Sequence, residues 1–233
     1  MTTAGTQLGK IWYLQKVDLF KGMSKEEMMN LARMVQERSF RRKEIIYLAG
    51  EPGNHVYLLK KGIVKISKVT GDGRELTLAL LKPGEIFGEL EAVGETSRDT
   101  QAEAHSDLLI CVLRRDDLMR LVEMKPRLGI QLSKLIGFRR KVIENRLGNL
   151  IFRTVPERLA TLLLELAREF GEPSGNVTTI TLPLTHQDLA NLIGSARPTV
   201  TETFNEFKAK GIVDVSGKTI TVKDSQALKT LSA

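Results

Sequence analysis

The sequence predicts an α+β fold, and three observations predict it. Residues 40–115 are a succession of short segments rich in Val, Ile and Leu, cut by glycines and Pro-Gly pairs. Residues 116–151 return to helical periodicity, and residues 152–233 hold two short amphipathic helices broken at Gly194, then two short strands around Ser216-Gly217. The expected organisation is an N-terminal β-roll, jelly-roll-like, with a helix before it (1–115), a long central dimerisation helix (116–151) and a C-terminal winged helix-turn-helix domain (152–233).

The composition permits this. With 233 residues, 42% hydrophobic and 5% aromatic, the chain is long enough to bury two ordinary cores. The single cysteine, Cys111, lies in the apolar run LLICVL and has no internal disulfide partner. The opening MTTAGTQLGKIWYLQ lacks the layout of a signal peptide, and no apolar run is long enough to cross a membrane, so a cytoplasmic protein is expected. The net charge of +7 does not locate a nucleic-acid surface, because residues 152–233 carry nine basic and nine acidic side chains.

Taken in order, SKEEMMNLARMV (24–35) opens with Ser24 and Glu27 in capping-box spacing and predicts a helix. The segments HVYLLKKGIVKISKV, ELTLALLKPGEIFGEL and DLLICVLR predict strands, with TGDGRE (70–75) as a hairpin turn. In the central helix, Leu132, Ile136, Ile143 and Leu150 trace a heptad-like line through Arg139, and Pro126 must end a preceding helix or kink this one. A seam that narrow suits packing against a second copy. The alternative is a helix packed only on its own domain. PERLATLLLELAREFG (156–171) predicts a further helix, stopped at Gly171.

The helix-turn-helix pattern carries the chemistry. Thr185 is placed to cap the first helix with Asp188 three residues on, Gly194 supplies the bend, and the second helix presents Arg197, Thr199, Thr201 and Glu202. Arg197 is the candidate base reader, because a guanidinium donates twice to guanine O6 and N7. Pro198 pushes its predecessor away from the α region, so the helix is expected to start at Pro198 with Arg197 as its cap. Lys208, Lys210 and Lys218 are candidates for phosphate contact or for plain solvation. His55, His105 and His186 are dispersed and sit in no catalytic or metal-binding spacing, so neither an enzyme nor a metal site is expected.

The Gly-punctuated roll with GEPGNHVYLLKKGIVKI and PGEIFGEL, the long helix ending in GNLIF, and LTHQDLANLIGSARPTVTETFNEFKAKGIV together resemble the CRP/FNR family of bacterial transcription regulators. The resemblance implies a homodimer on palindromic double-stranded DNA, RNA polymerase as a partner, and a small-molecule effector in the roll. It places Gly88, Glu89 and Leu90 of the FGEL turn, together with Arg98, where cyclic-nucleotide-binding relatives hold the ribose and the cyclic phosphate. Two departures stand out: Asp99 follows Arg98, where it would repel a phosphate or compete for the arginine, and Ile143 and Glu144 replace hydroxyl side chains that face the adenine. Cyclic AMP, another cyclic nucleotide or an anionic metabolite are the effector candidates. The alternative is an empty roll in which Glu89 and Arg98 pair with each other. A haem sensor, with His55, His105 or Cys111 as axial ligand, is a further alternative, and one cysteine is too few for an iron–sulfur cluster. In the second helix, Pro198 stands where most relatives have glutamate and Glu202 where many have arginine. The implied operator departs from the family's TGTGA half-site.

Overall fold

The computed structural model describes residues 11–15, 17–94 and 96–232. Most of the segment in which a signal peptide was sought, residues 1–10, lies outside them. The chain divides into two compact units, one of residues 1–74 and 78–141, the other of residues 75–77 and 142–233.

The first unit is built on two antiparallel sheets. Strands β1 (Gln36–Phe40), β2 (Ile45–Tyr47), β3 (His55–Lys61), β4 (Val64–Val69), β5 (Glu75–Leu81), β6 (Ile86–Phe87), β7 (Gln101–Ala104) and β8 (Leu108–Arg114) are arranged in the orders β1-β8-β3-β6 and β2-β7-β4-β5. Strand β3 runs antiparallel to β8, with Leu58 opposite Cys111. Because side chains alternate across a strand, these two strands feed two cores. Tyr57, Leu59, Ile110 and Val112 fill the space between the sheets with Tyr47 and Phe87. Val56, Leu58, Cys111 and Leu113 face the helices, packing with Phe20, Leu31, Leu118 and Leu128. This two-sided burial explains why β3 and β8 read as continuous apolar runs rather than alternating ones.

The helix Lys25–Met34 has the capping box its sequence announces, with Ser24 and Glu27 bonded reciprocally. The turn at 70–75 closes as a hairpin, with the Thr70 amide donating to the Arg74 carbonyl at 2.9 Å. After β8, the helix Arg115–Met124 ends at Lys125, and Pro126 opens a new helix of 27 residues, Pro126–Phe152. Pro126 therefore ends one helix and starts the next, at a position where its missing N–H removes no bond. At 1.5 Å per residue this central helix is about 40 Å long.

One expectation for that helix is corrected. Leu132 does not lie on a free seam: it is 4% exposed and packed with Leu128 in the core of its own unit. Arg139, seven residues further along the same face, also turns inward. Ile130 and Phe138 are exposed in the first half of the helix, and in its second half Ile143, Leu147, Ile151 and Phe152 are left in solvent, so the free stripe there is rotated from the predicted one and extends further toward the helix end.

In the second unit the helix Val155–Phe170 opens with Thr154 and Glu157 in a capping box and buries Leu159, Leu162, Leu163 and Leu166. Strands β9 (Gly171–Ser174), β10 (Val177–Ile180), β11 (Val213–Ser216) and β12 (Thr219–Val222) form a sheet in the order β11-β12-β10-β9. Helices His186–Ile193 and Arg197–Ala209 precede the β11–β12 wing, and a last helix spans Ser225–Leu231. Between the first two, Gly194 takes φ +59° and ψ +50°, the left-handed region that an L side chain enters at a cost. Replacing Gly194 by alanine is predicted to destabilise this unit by about 1–2 kcal/mol, measured as a shift of the chemical unfolding midpoint at unchanged slope.

Candidate nucleic-acid interface and effector site

The first helix of the helix-turn-helix is fixed at both ends. At its start the Thr185 amide donates to the Asp188 carboxylate at 2.8 Å and the Asp188 amide donates to the Thr185 hydroxyl at 3.1 Å. Thr185 therefore has its hydroxyl committed to the cap. At the far end Nη1 of Arg158 donates to the carbonyl of Ile193 at 2.8 Å, satisfying an acceptor that the helix itself leaves open. No sequence signal links Arg158 to that carbonyl, because the contact spans two helices.

The second helix begins at Arg197 with Ala196 as its cap, one residue earlier than the proline argument places it. The steric preference that proline exerts on its predecessor is a bias, and here the amide of Val200 bonding to the Ala196 carbonyl at 3.1 Å holds Arg197 helical. The inward face carries Val200, Thr203, Phe204 and Phe207. The outward face is an open concavity lined by Arg197, Pro198, Thr201, Glu202 and Asn205. Asn205 escaped the sequence reading, although its i, i+4, i+8 relation to Arg197 and Thr201 announces a shared face.

Thr201 is half-committed. Its hydroxyl donates to the Arg197 carbonyl at 2.9 Å and lies 2.8 Å from Nδ1 of His186. Since the hydroxyl has one proton, Nδ1 is the donor in the second bond. The His186 ring also lies 5.2 Å from that of Phe204. Thr199 is exposed, its carbonyl accepting from Thr203 at 2.9 Å. Lys208 lies 3.8 Å from Asp214 of the wing, which also pairs with Lys223 at 2.8 Å, while Lys218 is exposed at the wing turn.

In the first unit the turn after β6 places Gly88 at φ +74°, where a Cβ would lie 2.7 Å from Nη1 of Arg98. Arg98 is 3% exposed and stacks over Tyr47 with its guanidinium carbon 4.5 Å from the ring centre. Burial pushes the Tyr47 hydroxyl up to about 12, so that ring is neutral. Glu89 is fully buried and bonds to Arg139 of the central helix, which also donates to the Ile86 carbonyl. Its other oxygen, Oε2, is buried and makes no hydrogen bond among the described residues. Burial raises the Glu89 pKa, an effect that Arg139 opposes.

Three expectations for this site are corrected. Glu89 and Arg98 do not pair with each other, because Arg139 takes the first and Glu91 the second. Asp99 does not compete for Arg98: it is largely exposed and lies 3.1 Å from Lys68. Arg139, expected at a dimer seam, is turned into the roll. Leu90 is 43% exposed, and Ile143 and Glu144 belong to the second unit.

A two-sheet roll with a glycine turn against a buried arginine, and a winged helix-turn-helix with a polar face turned outward, define a class of two-part DNA-binding proteins. The cyclic nucleotide-binding domain family matches residues 37–125, and the Crp-like helix-turn-helix domain family matches residues 157–231. The chain is 31% identical over 215 residues to a CRP-like cAMP-activated global transcriptional regulator of Mycobacterium tuberculosis, covering 92% of this chain and 96% of that protein. It is 34% identical over 196 residues to the global nitrogen regulator of Synechococcus elongatus, covering 83% and 88%. Among solved structures, FixK2 of Bradyrhizobium japonicum is similar with a TM-score of 0.77 at 28% identity, over 85% of this chain and 98% of that one. The chain belongs to the CRP/FNR family of transcription regulators and binds DNA. No helix among the described residues is long and apolar enough to cross a membrane.

The His186 environment gives a testable pH effect. Burial, then the nearby Arg197, holds its pKa below the usual 6.5. The unfolded chain therefore binds a proton at a higher pH than the folded one, and stability falls as pH drops below 6.5. Urea unfolding at pH 7 and pH 5.5 is predicted to show a smaller loss for His186→Gln than for the wild type.

Proposed function

We propose that the protein is a homodimeric regulator that reads a two-fold operator through Arg197. The observation that carries this reading is the outward face of the second helix: Arg197, Pro198, Thr201, Glu202 and Asn205 line one open surface, while Val200, Phe204 and Phe207 anchor the opposite one. Arg197 reads a guanine by two hydrogen bonds, and Glu202 accepts from a cytosine amino group. Pro198 offers neither donor nor acceptor there. The half-site therefore departs from TGTGA, and two recognition helices meet half-sites roughly 34 Å apart. RNA polymerase is the further partner of such a regulator. Binding-site selection is predicted to return a two-fold sequence other than TGTGA, and Arg197→Ala to cost about 1–3 kcal/mol at one guanine position. An unmodified TGTGA palindrome from the wild type would overturn the half-site reading.

The free stripe of the central helix supports dimerisation. Ile143, Leu147 and Ile151, spaced four apart, are 41%, 52% and 71% exposed on a continuous helix, with Ile136 seven residues before the first. Covering them against a second copy buries apolar surface worth about 25 cal/mol per Å². Charged replacements at Ile143 and Leu147 are predicted to shift sedimentation to a monomer at micromolar concentration and to weaken operator binding together with it. A monomeric wild type with full operator affinity would refute the homodimer.

In the roll, Gly88, Glu89 and Arg98 form the effector frame, and the unbonded Glu89 Oε2 is an acceptor for a ligand hydroxyl. Cyclic AMP, another cyclic nucleotide or an anionic metabolite is the class that this frame suits, and the Mycobacterium tuberculosis relative is named as cAMP-activated. The second reading, regulation without an effector, is favoured by one observation: the Arg98 charge already has a partner in Glu91.

A further inference from the structure

Both hydrogens on Nη1 of Arg98 are already used. One goes to the Gly88 carbonyl at 2.8 Å, the other to the Glu91 carboxylate at 2.9 Å, and Nη2 donates to the carbonyl of His55. The Arg98 and Glu91 side chains are 1% and 10% exposed, so this ion pair is shielded from water. Glu91 is held where it is by close packing: a Cβ on Gly53 would lie 2.8 Å from its own Cβ. It follows Glu89 by two residues on the short helix Glu89–Gly94, and the two carboxylates serve different arginines, Arg139 and Arg98.

We propose that Glu91 holds down the roll's affinity for phosphate-bearing effectors by standing as an internal counter-ion on Arg98, where the phosphate of an effector would otherwise neutralise the guanidinium. The proposal rests on reading Gly88, Glu89 and Arg98 as the effector frame. A phosphate approaching Arg98 meets a fixed carboxylate of like charge, and in a partly buried site that repulsion is weakly screened. Breaking the pair to admit the phosphate would strand a buried carboxylate, which is costly in itself. Neutralising Glu91 reverses both effects. Arg98 is then a buried cation lacking its partner, and an incoming anion restores the balance.

The test is calorimetry of the full-length protein against cyclic AMP and, separately, inorganic phosphate. The wild type should bind either only weakly, and Glu91→Gln, nearly the same shape, should bind cyclic AMP at least tenfold more tightly. The gain should vanish in Glu91→Gln/Arg98→Gln, and the melting temperature of Glu91→Gln should rise with added cyclic AMP more than that of the wild type. If Glu91→Gln fails to fold, Glu91→Ser carries the same expectation. Tight, Arg98-dependent binding by the wild type overturns the proposal, as does a folded neutral variant with no gain. A gain that survives loss of Arg98 overturns the effector-frame reading as well. Operator binding assayed in parallel reports on the regulator reading separately.

Discussion

A guanidinium sealed inside a β-roll must be neutralised and must have its hydrogens accepted, since burying an unpaired charge costs several kcal/mol. Arg98 meets both demands, and much of the roll's local structure follows from how it does so. Its Nη1 reaches the Gly88 carbonyl only because Gly88 has no Cβ to block it. The positive φ at that residue then turns the chain from β6 into the short helix that delivers Glu91. Tyr47 supplies a flat face for the guanidinium and itself stacks on Tyr57, which stacks on Phe87 in the core between the sheets. The ion pair and the aromatic core are thus parts of one packing arrangement.

The central helix is tied to the same region by a second arginine. Leu128 and Leu132 anchor it through apolar packing, and Arg139 adds a directional bond to Glu89 and the Ile86 carbonyl. Apolar packing alone tolerates small slides along a helix axis, whereas an arginine whose two Nη atoms bond a buried carboxylate oxygen and a neighbouring carbonyl fixes the helix in register and rotation. Glu89 keeps its second oxygen free of Arg139, so the carboxylate that holds the helix also presents an acceptor inside the roll. One carboxylate thus joins the turn after β6 to the central helix.

What was legible in the sequence is what depends on near neighbours. The capping boxes at Ser24 and Thr185, the bend at Gly194 and the hairpin at 70–75 are each encoded within a few residues, and the structure has them. Strand β9 was not legible, because Gly171–Ser174 reads GEPS, with neither alternation nor β-branched residues, and forms only because β10 lies beside it. The partners of the buried charges were equally hidden. Glu89, Glu91 and Arg98 stand within ten residues of one another, yet which acid meets which base is decided by a helix fifty residues away. The rotation of the free stripe follows from the same cause: a heptad pattern records which positions are apolar, and only the roll's surface decides which of them it covers.

The recognition helix shows a division of labour with consequences for sequence preference. Its inward residues, and the hydroxyls of Thr201 and Thr203, are committed to holding the helix in place. Pro198 at the second helical position stiffens the first turn while offering no hydrogen bond, so the side chain beside Arg197 contributes shape alone. That leaves Arg197, Glu202 and Asn205 as polar groups on the open face that are not committed to holding the helix. Substitutions at these three positions leave the packing of the helix intact, whereas changes at Thr201 or His186 break hydrogen bonds that hold the helix itself.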